Sequence, residues 1–184
     1  MITYPWFAPV MWTVFALAVV SFVSVIGPYF TGAPWAPMPF DAARRMLQLA
    51  DVRPGETVYD LGSGDGRVLI VAAREFGATA IGVEIDPLRT LISRSAMTLL
   101  GLRHCARVTR ANLFDVDLRD ADVVTVYLLP KANARLAPKL RSELKPGTRV
   151  VTLTYHLPGW EPVISENGIK VYRQAPSPGG RGQE

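Results

Sequence analysis

No acidic or basic side chain occurs before Asp41 in this 184-residue chain, so all 20 Lys and Arg and all 16 Asp and Glu lie in the remainder. A chain divided in this way has two parts that meet water differently. Cysteine is nearly as scarce. Cys105 stands alone, which excludes an internal disulfide and leaves no sign of an oxidising compartment, and it reads as a buried or idle thiol. The net charge of +4, with a pI near 9.5, is too mild to choose among nucleic acid, anionic lipid and an acidic protein surface. The length and the 49% hydrophobic content suffice for one domain with a substantial core and an appendage.

The appendage is the charge-free part. From Trp6 to Ile26 the only polar side chains are Thr13, Ser21 and Ser24, and as a helix the stretch would span roughly 30 Å, the thickness of a bilayer core. A single transmembrane helix is expected over residues 6–26. Tyr4, Trp6 and Trp12 lie toward one end and Tyr29, Phe30 and Trp35 toward the other, where amphipathic rings favour headgroups. The alternative is a cleaved signal peptide, which would want a basic start and a shorter apolar core; "TGA" at 31–33 resembles a cleavage site. Arg44 and Arg45 follow the span, so the positive-inside rule puts the amino terminus outside and the rest in the cytoplasm, or in the mitochondrial matrix in a eukaryote. The domains are then an anchor at 1–27, a proline-rich linker at 28–40, a folded domain at 41–174 and a disordered tail at 175–184.

Within 41–174 hydrophobic periodicity alternates between 2 and 3.6. Asp41 is the expected N-cap of a helix over 42–50. Strands are expected at 57–61, 79–85, 106–111, 121–129 and 148–155, with helices at 66–77, 87–101 and 131–147, the last interrupted at Pro138. Strands separated by helices predict a parallel, doubly wound sheet. Two further short strands, near 161–165 and 169–173, are separated only by "ENG" and predict an appended hairpin with an antiparallel final strand.

"TVYDLGSGDGRV" at 57–68 puts three glycines directly after the first strand. In such sheets ligands bind beyond the carboxyl ends of the strands, and glycines there let backbone approach a ligand closely. The spacing is G-x-G-x-G preceded by the acid Asp60, since the last position of a dinucleotide fingerprint is here Arg67. The second strand ends in "GVEID", where the Glu84 carboxylate can accept two hydroxyls. "RANLFD" follows the third strand and "VYLLP" ends the fourth.

These four features, in this order, resemble the class I methyltransferases that use S-adenosylmethionine. The resemblance implies a Rossmann-like, mainly parallel seven-stranded sheet with a C-terminal hairpin. It carries the cofactor site onto Asp60, Gly62, Ser63, Gly64, Asp65 and Gly66, then Glu84 and Ile85, then Asn112 and Leu113 at the adenine edge and face. An Asx turn is the plainer reading of Asn112, and Arg67 reads as a helix-surface residue. No metal is called for.

"VYDLGSGDGRVLIVAAREFGATAIGVEID" and "VYLLPKANARLAPKLRSELKPGTRVV" resemble a narrower group: archaeal and bacterial protein-lysine methyltransferases and the membrane-anchored mitochondrial enzymes that modify ATP synthase rotor subunits or adenine nucleotide carriers. That resemblance implies a lysine side chain on a protein as acceptor, on a membrane protein in the mitochondrial members, with no nucleic acid expected. Tyr127 would line the lysine channel and hold the cation by its π face, and Pro130 would fix the turn into the next helix. His104 and His156 read as structural. Lys131, Arg135, Lys139 and Lys145 read as a basic surface or simply a solvated helix face. "TLTYHLPGW" at 152–160 departs from the more polar stretch of the archaeal members. Two rival functions share these residues: methyl transfer to a membrane quinone or lipid, and an accessory membrane subunit that keeps the fold without turnover.

Overall fold

The computed structural model describes residues 6–31 and 37–176; the side chains at Leu17, Val20, Ser21 and 23–31 lie outside the described set. The elements run in chain order α1 (Phe7–Thr31), α2 (Phe40–Leu49), β1 (Thr57–Leu61), α3 (Arg67–Phe76), β2 (Thr79–Glu84), α4 (Pro87–Leu99), β3 (Ala106–Arg110), β4 (Val123–Val126), α5 (Pro130–Glu143), β5 (Arg149–Leu153), β6 (Ile164–Glu166) and β7 (Ile169–Arg173).

One seven-stranded sheet has the order β3-β2-β1-β4-β5-β7-β6. The first five strands are parallel, while β7 runs antiparallel to β5 and pairs with β6 in a hairpin. Asn167 and Gly168 both take positive φ in that turn, as a two-residue hairpin of right-handed twist requires. The strand order reverses between β1 and β4, so a crevice is expected beyond their carboxyl ends.

Alternating strand residues feed two cores. Val58, Val123 and Val151 join Met46 and Leu47 of α2, Leu69 and Val71 of α3 and Met97 of α4 on one face. Tyr59, Val124 and Val150 join Leu136 and Leu140 of α5 on the other. Because both faces are covered, the central strands read as near-continuous hydrophobic runs.

The structure corrects several expectations. Asp41 is not an N-cap: Pro39 precedes the first helical residue with no side-chain cap, and Asp41, in the first turn, accepts from Arg44 at 2.6 Å. Pro138 does not interrupt α5, which continues around it from Pro130 to Glu143; a proline inside a helix removes one donor, and burial of Leu136, Ala137 and Leu140 outweighs that loss. Strand β4 stops at Val126, three residues short of the expected end, as the chain turns toward α5.

At the amino end, helix persists to Thr31, so 28–31 of the expected linker are helical; Gly and Pro disfavour helix without forbidding it. The rest of the "TGA" signal at 32–33, most of the remaining linker, Tyr4, Trp35 and the tail from Ser177 lie outside the described residues. Among the described residues no helix is long and apolar enough to cross a membrane. The backbone of α1 runs for 25 residues with no charge in its first or last turn, and its described side chains end at Phe22.

Candidate active site

A cleft of about 930 Å³, open to solvent, lies beyond the carboxyl ends of β1, β2 and β4, where the strand order reverses. Asp60, Gly62, Ser63, Gly64, Asp65, Glu84, Ile85, Asn112, Leu113 and Tyr127 all line it. Gly66 sits behind this wall as the N-cap of α3, and Pro130, the first residue of α5, is exposed and outside the lining.

The glycine loop is built by its backbone. Gly62 and Ser63 donate to Val83 O at 2.9 and 3.0 Å, Gly64 donates to Glu84 Oε2 at 2.9 Å, and Gly66 donates to Ser63 O at 2.8 Å. These four amides therefore shape the cradle without facing the cleft. The amides left for a ligand are that of Asp65 and those of the first turn of α3, a helix with no side-chain cap. Gly66 is held at φ +86°, and a Cβ there would lie 2.3 Å from Ser93 Oγ of α4, so only glycine permits this approach of the two helices.

Glu84 is buried, yet among the described residues each of its oxygens accepts one backbone N–H: Gly64 at one and Asp86, at 2.9 Å, at the other. A carboxylate offers about four acceptor positions, so two remain for hydroxyls in the cleft. Ser63 Oγ is buried without a hydrogen-bond partner among the cleft-lining residues, an orphan that a polar ligand would satisfy.

Asp60 is buried beneath the loop and accepts from Thr125 Oγ1 at 2.7 Å. Burial pushes its carboxyl up to about 7; the Thr125 hydroxyl opposes that shift, and the nearby charges of Glu84 and Asp65 add to it. Asp65 pairs with Arg67 Nε at 2.9 Å. Asn112 is exposed and makes the Asx turn, its Oδ1 accepting Phe114 N–H at 3.2 Å while it also borders the cleft. Ile85, Leu113 and Phe114 supply apolar wall.

Arg67 is more than a surface residue. It lines the cleft, donates to Met38 O at 3.0 Å and lies 5.4 Å from the centre of the Phe40 ring, so it holds the segment 37–40 as a further wall. Nothing in the sequence marked Pro37 and Met38 as cleft residues, because their approach depends on packing α2 against α3.

His104 and His156 are exposed and outside the cleft. The basic surface expected on α5 is partly neutralised: Lys139 pairs with Glu143 at 2.6 Å, and Arg135 stacks on Phe114 at 4.1 Å. In the stretch after β5, Leu157 is fully buried and donates its N–H to Tyr172 Oη at 3.1 Å, and Trp160 packs edge-on against Tyr172. Its apolar character there is core packing.

A family model described as the ANTKMT methyltransferase domain matches residues 60–164, from the buried acid of β1 to the first residue of β6. The chain belongs to this methyltransferase family. Over 135 residues, 73% of this chain and 84% of the relative, the methyltransferase is 43% identical to a protein-lysine N-methyltransferase of Saccharolobus islandicus. It is 38% identical over 118 residues to the adenine nucleotide translocase lysine N-methyltransferase of Mus musculus, and it spans 51% of that relative's length. Among solved structures, a Salinibacter ruber protein described as an RNA methyltransferase, in complex with S-adenosyl-L-homocysteine, superposes with a TM-score of 0.71 at 41% identity, covering 76% of this chain and 92% of that one.

The cofactor of this methyltransferase is S-adenosylmethionine, and the residues present fit it. The two remaining acceptor positions of Glu84 would suit a vicinal diol, Ile85 and Leu113 would flank an aromatic base, and the loop before α3 would take the amino-acid end. When bound, the cofactor supplies an electrophilic methyl group on a sulfonium.

Proposed function

We propose that this methyltransferase transfers methyl groups to lysine side chains of a protein, and that α1 anchors it in a membrane with the catalytic domain on the cytoplasmic side, or in the matrix of a mitochondrion. The observation that carries the acceptor is the 43% identity, across 73% of the chain, to a relative named for protein-lysine methylation. The cleft supports it. Tyr127, half-buried at the end of β4, presents a ring beside the loop of Gly62, where it would face an incoming ammonium and then the neutral amine. In-line transfer asks the protein to align two groups and exclude water, and the buried wall of Val83, Glu84 and Leu128 serves that end. Lysine must lose its proton before attack, and low dielectric lowers its affinity for that proton.

Anchoring draws support from the absence of charge before Asp41 and from the exposed rings of Trp6 and, on α1, of Phe7, Trp12, Phe15 and Phe22. The Salinibacter structure, described as an RNA methyltransferase, makes RNA the second acceptor to test.

The experiment incubates the full chain with radiolabelled S-adenosylmethionine, membranes and total RNA from its host. Label recovered as methyl-lysine after acid hydrolysis of the protein fraction is the expected result. Label confined to RNA or to extractable lipid would overturn the acceptor assignment, and recovery of the active chain in the soluble fraction would overturn the anchor.

A further inference from the structure

Helix α4 is inside out. Its buried face is Thr90, Ser93 and Met97, while Leu91, Ile92 and Leu99 are 60%, 48% and 87% exposed. At 100° per residue, positions 91, 92, 95 and 99 fall within one 100° arc, opposite the buried face. The inner polarity has a local cause: Ser93 abuts Gly66, where no larger side chain fits, and the Thr90 hydroxyl donates to Asp86 O at 2.8 Å within its own helix. The outer apolar stripe has no such cause in the fold.

The charge beside this stripe is of one sign. From Pro87 to Phe114 the chain contains five arginines and no acid. Leu99 shares a surface groove with Arg94, Arg103 and Arg107, and Arg94 Nε donates to Val108 O at 3.0 Å, which fastens the helix to the edge strand β3. Leucines flanked by arginines on an outward helix face match the chemistry of the bilayer interface, where apolar side chains enter the acyl boundary and guanidinium groups meet phosphate. A protein–protein contact would gain nothing special from arginines of one sign without an acidic partner.

We propose that the outer face of α4, with Arg94 beside it and Arg103 in the loop that leads to β3, docks on the anionic surface of a lipid bilayer. The first turn of α4 carries Arg89, which lines the cleft, so docking would hold the cleft mouth close to the headgroups. This goes beyond the acceptor assignment above and does not depend on which group is methylated.

The test uses the full chain in vesicles, with Cys105→Ser and Ser95→Cys providing a single labelling site in the middle of the stripe. A fluorophore at that site is exposed to a lipid bearing a headgroup-level quencher, in vesicles of pure phosphatidylcholine or with about one-third phosphatidylglycerol. Quenching at least about threefold stronger in the anionic vesicles is expected, reduced by about 0.5 M salt and by Arg103→Glu. Equal quenching in both compositions, or quenching insensitive to the charge reversal, overturns the proposal. So does a response to RNA without vesicles, or energy transfer between labelled copies that replaces quenching as protein density rises. Binding of S-adenosyl-L-homocysteine to the same variants, measured by calorimetry, reports the folded domain independently, so loss of docking is distinguishable from a failed cofactor site.

Discussion

Helices α3 and α4 follow successive strands and cover the same face of the sheet, yet they obey opposite rules. In α3 the apolar side chains Val68, Leu69, Val71 and Ala72 are buried and the charges Arg74 and Glu75 face out. In α4 hydroxyls are buried and leucines face out. The two meet where Gly66, the N-cap of α3, touches Ser93 and Met97 of α4. Close approach at that junction selects a small side chain at Ser93, whatever its polarity, while Met97 beside it enters the core, so α4 owes its inner face to geometry and to one apolar residue, and α3 to hydrophobic burial throughout.

The comparison breaks most visibly at its apolar residues. Leu69→Ala should cost about 3 kcal/mol in urea denaturation, because Leu69 is fully buried, whereas Leu99→Ala should change stability by less than about 0.5 kcal/mol. Similar losses from both would mean that the outer stripe of α4 is packed after all. Gly66→Ala should cost about 2 kcal/mol, from the positive φ and the contact with Ser93, and adding Ser93→Ala should recover part of that loss. Strict additivity of the two would remove the junction from the account.

The loops that lead into the two helices can be compared through ligand binding. Glu84→Gln, before α4, should weaken S-adenosyl-L-homocysteine by about 30-fold in calorimetry, since one charged acceptor is replaced at a buried site. An unchanged affinity would exclude Glu84 from the ribose site.

Asp60 lies before α3, and its folded carboxyl is raised to about 7 against an ordinary value of 3.8. Between those two values the unfolded chain loses a proton that the folded protein keeps. Stability of the ligand-free protein should therefore fall as pH rises from about 4 to about 7, by a few kcal/mol at most, and level off above that. Asp60→Asn should flatten that slope in denaturation curves stepped through pH, and an identical slope in the variant would assign it elsewhere. Smallest of all, Ser93→Ala alone should be neutral or slightly stabilising in thermal melts, because the hydroxyl it removes is buried without a partner.

Much of the sheet was legible because its signals are local. β1 was expected at its observed bounds, β2 and β3 within one residue and the hairpin with its antiparallel last strand, since alternation and turn residues act over a few positions. The cleft was legible where glycines and an acid stand next to a strand. It was not legible where Arg67 meets Met38, 29 residues away in sequence, or at Pro37 beside it, since these come together only through α2–α3 packing. Nor could spacing reveal that the Gly62, Ser63 and Gly64 amides are turned inward, because that depends on Val83 and Glu84 of the neighbouring strand.

By itself the sequence determined a charge-free amino-terminal stretch, an alternating sheet domain and a glycine loop with one acid before it and one within it, because periodicity, charge and conformational freedom are properties of neighbouring residues. Only the tertiary structure decided which face of α4 is inside, how the Glu84 oxygens are shared and that burial raises the Asp60 carboxyl. Each of these follows from burial and close approach between distant segments, which no local pattern encodes.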